Sequence, residues 1–113
     1  MSASSGSDTS LPLAADWYAR IAGSQSTREL VMVARAFMDT WSAEDLAQLP
    51  PGLRPGRIDD GEDIASIAYD LAQAHLRVHL PAPAERLATR MHAFFSNASA
   101  RAAILSARRN TLP

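Results

Sequence analysis

The stretch Asp59–Val78, DDGEDIASIAYDLAQAHLRV, constrains the fold more than any other part of the chain. At about 100° per residue, Ile64, Ile67, Ala68, Leu71, His75 and Val78 fall on one face of a helix. Ala65, Tyr69, Ala72 and Leu76 carry that face sideways, and Asp63, Ser66, Asp70, Gln73 and Arg77 collapse onto a narrow opposite strip. A surface helix normally shows an apolar stripe a little over ~100° wide, and this arc is about twice that. The pattern predicts a central helix near residues 60–78, covered by other elements on two or three sides. Asp59 or Asp60 is placed to cap its first free N–H groups, and Glu62 and Asp63 put negative charge where the helix dipole favours it. Arg77 and His79 suit the other end, and Pro81 forbids continuation.

The remaining periodicities are helical too. In Leu11–Ala22, the spacing of Leu13, Trp17, Tyr18 and Ile21 predicts a first helix with Gly23 as its stop. Ser26-Thr27-Arg28-Glu29 is a capping-box pattern opening a helix within Ser24–Trp41. Leu30, Val33, Ala34, Phe37 and Trp41 form its stripe, and Arg35 and Asp39 are spaced to pair on its outer face. Ser42 caps a short turn that Pro50 and Pro51 end. HLPAPA, with Pro81 and Pro83, reads as an extended, stiff connection. From Ala84 to about Ser96, Leu87, Met91, Phe94 and Phe95 mark another helix. Ser96-Asn97-Ala98-Ser99 then favours a break or kink, with a last segment over Arg101–Arg109. The alternative is one continuous helix keeping Ala98, Ala102 and Leu105 on the Leu87 line. There is no alternating strand pattern and no two-residue hairpin signal. The expectation is an all-α, compact single domain of four to five helices over residues 11–113, behind a disordered tail at residues 1–10 rich in Ser, Gly and Thr.

A chain of 113 residues that is 47% hydrophobic can bury a core without staples. It has no cysteine, which excludes disulfides and thiolate chemistry and fits a reducing cytoplasm. No signal peptide and no apolar run near ~20 residues is visible, so no membrane association is expected. Net charge is −1, and all eleven basic residues are arginines that mostly do not cluster, so nucleic acid, through Arg54, Arg57, Arg101, Arg108 and Arg109, is not an expected partner. Abundant alanine and the absence of lysine fit a GC-rich, bacterial-type coding bias.

Three groups of residues stand out as candidate sites. Trp17 and Tyr18 are adjacent and cannot point along one line of the core, and Met32 is stranded on a polar side. One of Trp17 and Tyr18 is either a partner-binding aromatic or a large residue sealing the core's edge, and Met32 is either an ordinary isolated exposed Met or part of a dimer face. In PPGLRPGRI (Pro50–Ile58), Arg54 and Arg57 flank Pro55-Gly56, just before the start of the central helix. Together with the helix N-terminus they suggest an anion site. The following Asp59-Asp60-Gly61-Glu62-Asp63 suggests instead that the arginines pair locally, and it lacks the ligand spacing of a calcium loop. His75 and His79, at i and i+4, can meet one metal ion, with His92 and the acidic cluster as further ligands; a core-edge histidine bonded to a carbonyl or a carboxylate is the alternative. No phosphate loop, nucleophile elbow or HExxH is present, and no cofactor is indicated. The sequence therefore points first to a non-enzymatic helical interaction or regulatory module, with a protein partner or a homodimer, and second to a small metal- or ligand-binding enzyme using the histidines and aspartates.

Overall fold

The computed structural model describes residues 13–111. Among them there are five α-helices and no strand: α1 (Ala15–Gly23), α2 (Thr27–Asp39), α3 (Ala43–Ala47), α4 (Gly61–Arg77) and α5 (Ala82–Thr111), with a 3-10 turn at Pro51–Leu53 between α3 and α4. The chain is all-α, as its periodicities require. The tail expected at residues 1–10 lies outside the described residues. α4 packs against α2, the 3-10 turn and α5, while α5 packs against α1, α2 and α4. The centre of the fold is thus shared between α4 and the longest helix.

The helix starts follow from their caps. Ser26 Oγ accepts from the Glu29 N–H at 3.1 Å, and the Glu29 carboxylate returns to the Gln25 N–H at 2.8 Å. α4 repeats the device with aspartates: Asp60 Oδ1 accepts from the Asp63 N–H at 2.9 Å, and Asp63 Oδ2 accepts from the Asp59 N–H at 2.7 Å. Ser42 caps α3 through the Asp45 N–H. Each reciprocal pair satisfies the N3 donor that a helix start leaves open and fixes the N–H of the residue just before the cap.

Aromatic rings fill the core between α1, α2 and α5. Phe37 and Phe94 stack with centroids 4.0 Å apart, and Trp17, Trp41 and Phe95 meet the Phe37 ring edge-on at 5.3, 5.9 and 6.2 Å. The Arg90 guanidinium lies 4.9 Å from the Trp41 ring, and Arg20 lies 4.4 Å from that of Trp17. Ile64 and Leu71 bring α4 into the same core, and Leu53 and Ile58 plug the connection that precedes it.

Several local expectations need correction. α5 is continuous: Asn97 donates its side-chain amide to the Ala93 carbonyl at 2.8 Å, and Ala98, Ala102 and Leu105 are buried. Burying that line of side chains outweighs the modest propensity cost of one Asn and two Ser. α5 also begins earlier than its prolines suggested, at Ala82, with Pro83 in the first turn, where a missing N–H removes no helical bond. α1 begins at Ala15, leaving Leu13 buried ahead of it, and no described residue has positive φ, so Gly23 is not a left-handed stop. Ser24 ends the helix instead: its hydroxyl donates to the Arg20 carbonyl at 3.1 Å, and its own carbonyl accepts Nε and Nη2 of Arg101 at 3.1 and 2.7 Å. Arg35 does not turn to Asp39. It donates to the Ile58 carbonyl at 2.8 Å and to the Asp59 carboxylate at 3.0 Å, tying α2 to the segment before α4.

The wide arc of α4 is covered on its Ile64–Leu71 side but not along its sideways extension. Ala65 is exposed, Tyr69 is 66% exposed and Leu76 is 83% exposed. α4 is covered by three elements, as expected, and one line of its wide arc stays bare where α5 and the 3-10 turn do not reach.

Candidate interaction surface

Ala65, Tyr69, Ala72 and Leu76 recur at intervals of four, three and four, which places them on one seam of α4. Full burial of a leucine is worth about 1.5–3 kcal/mol, and Leu76 realises little of it in the isolated chain. The seam borders the groove between α4 and α5. Toward the α4 N-terminus, Glu62 and Ala65 face Ser99, Ala102 and Ala103 of α5 across a cavity of ≈ 480 Å³. Toward its C-terminus, Ala72, His75 and Leu76 face His92 across one of ≈ 360 Å³. The small residues of α5 leave the groove open along the seam.

The histidines divide between two settings. His75 Nε2 lies 2.8 Å from Glu85 Oε2, with Thr89 Oγ1 at 3.4 Å from the same oxygen, and the His75 and His92 rings are 6.1 Å apart, edge to face. His79 is exposed beyond the end of α4 and does not line this cavity. Asp63 lies twelve residues before His75 on the same helix, about 18 Å along its axis, so the acidic cluster and the histidines occupy opposite ends of α4. Among the described residues no group of three His, Asp or Glu side chains is arranged to hold a metal ion.

Arg54 and Arg57 diverge. Arg57 Nε reaches Asp59 Oδ1 at 3.0 Å, the oxygen that Arg35 also contacts. Both pairs are largely exposed and contribute little to stability. Arg54 donates Nε to the Leu49 carbonyl at 2.9 Å and borders a cleft of ≈ 520 Å³ with Tyr69, Asp70, Gln73 and Arg77. The floor of that cleft is where the 3-10 turn crosses α4: a Cβ on Gly52 would stand 3.3 Å from that of Ala74, so the glycine permits a close approach, with no unusual backbone angle.

Trp17 and Tyr18 are half-buried on α1, Trp17 within the aromatic cluster, and Met32 is 60% exposed on α2. None of the three lines either cavity beside the α4 seam. Tyr69 and Arg77 are residues that the sequence reading did not single out as a site, and Glu62 entered it only as a possible metal ligand. The available signal was the regular large–small alternation of the seam, which the width of the arc concealed.

No helix among the described residues is long and apolar enough to cross a membrane. Comparison of the chain with protein-family models, with curated proteins and with solved structures finds no match.

Proposed function

We propose that this chain is a small non-enzymatic interaction or regulatory module that binds a protein partner through the bare flank of α4. The observation carrying this reading is the exposure of Tyr69 and Leu76 on one helical seam, beside a groove of small side chains. Large side chains aligned in this way on an otherwise well-packed domain are characteristic of contact surfaces. The net charge of −1 and the scattered arginines support a protein partner over a nucleic acid, and the cysteine-free composition suits the cytoplasm. The test is capture from native extract with the full chain as bait, wild type against Leu76→Glu. A stoichiometric protein recovered by the first and lost by the second is the expected result. Identical recoveries from the two baits would remove the reading.

A second reading, a metal- or ligand-binding enzyme, draws on the approach of His75 and His92 beside a cavity with Glu85 behind His75. Carboxylates that orient a histidine in this way are common behind metal ligands. Stoichiometric zinc in the purified chain, lost in His92→Ala, would favour this reading over the first.

A further inference from the structure

The α4 seam is complementary to itself when two copies run antiparallel. With a two-fold axis passing between positions 70 and 71, Ala65 meets Leu76 of the second copy and Tyr69 meets Ala72, each pair occurring twice. Every large side chain then faces a small one. A parallel pairing in register would oppose Leu76 to Leu76 and Tyr69 to Tyr69. The groove extends the fit, since the cavity beside Ala65, walled by Ser99 and Ala103, lies where the second copy's Leu76 would enter.

The charges agree with the shapes. α4 is acidic at its start and basic at its end, with Glu62 in the first turn and Arg77 in the last. Both are exposed, and neither forms an ion pair among the described residues. They lie on the same flank of the seam, as do Ser66 and Gln73. Antiparallel docking therefore places Glu62 beside the second copy's Arg77 at both ends and Ser66 beside its Gln73 within. An isologous contact of this kind needs one patch that serves as both halves, and the pairing of large with small and of acid with base along one helix provides it.

We propose that a second copy of this chain covers the α4 seam, forming a two-fold antiparallel α4–α4 contact with reciprocal Glu62–Arg77 ion pairs. This rests on reading the chain as an interaction module and names its partner. The test is sedimentation of the purified full chain across the micromolar range. The expected result is reversible association to twice the 12.2 kDa chain mass. Leu76→Glu should leave a monomer with unchanged helical circular dichroism. Arg77→Glu should weaken association about three- to tenfold, and adding Glu62→Arg to it should restore most of that loss. A chain that stays monomeric at every concentration overturns the proposal. So does a dimer indifferent to Leu76→Glu, or a double charge reversal no better than Arg77→Glu alone. A monomer that still captures a different protein through Leu76 removes the self-pairing and leaves the interaction reading standing, whereas a monomer with no Leu76-dependent partner removes both.

Discussion

Phe37 is stacked on Phe94 at 4.0 Å and ringed by Trp17, Trp41 and Phe95, with no solvent exposure; Tyr69 and Leu76, two helices away, are exposed over most of their surface. Both sets are large apolar or aromatic side chains on amphipathic helices, and nothing in their spacing separates them. What differs is the supply of neighbours. Phe37 projects into the space where α1, α2 and α5 meet, whereas the Tyr69–Leu76 seam projects past the edge of α5, whose nearest side chains there are Ser99, Ala103 and His92. Apolar periodicity reports that a surface is to be covered, and the elements at hand decide whether the chain covers it alone.

The comparison breaks most visibly at the aromatic cluster. Phe37→Ala should cost about 3–5 kcal/mol, read as a lower midpoint in urea denaturation; a loss below about 1 kcal/mol would mean that the stacked rings are not the main support of the fold. Next in size is Arg101→Ala. It leaves the buried Ser24 carbonyl without its two charged donors and should cost about 1.5–3 kcal/mol, with faster amide exchange at the end of α1. Unchanged exchange there would show that α5 holds α1 by apolar contact alone. Asp60→Ala removes the α4 cap and should cost about 1 kcal/mol, with the Asp63 amide losing protection first. Leu76→Ser and Tyr69→Ser form the opposite pole. Measured on monomeric protein, each should fall within about 0.5 kcal/mol of wild type. A large loss from either would place it with the core and erase the distinction drawn here.

Much of the fold was legible because helix signals are local. Ser26 with Glu29, Ser42, and the aspartates before α4 are capping residues whose partners lie within four positions, and each makes the bond its spacing suggests. Ser96–Ser99 misled for the complementary reason: its propensities are weak, and the buried line of Ala98, Ala102 and Leu105 that overrides them gains its worth only from contact with other helices. Arg35 shows the same limit, since a neighbour at i+4 was visible and Asp59, twenty-four positions on, was not. On the flank of α4, the residues were plain in the sequence. Their exposure was not, because it depends on where α5 stops covering α4.

The bond between Arg101 and Ser24 spans 77 residues, and this has a consequence for the order in which the molecule is made. Synthesis delivers α1 and α2 before α5, with their caps and stripes complete, yet the carbonyl at their junction waits for a donor carried by α5. Phe37 likewise waits for Phe94. Until α5 has left the ribosome, Phe37 lacks Phe94 and the Ser24 carbonyl lacks Arg101, so this part of the core closes only once α5 has emerged.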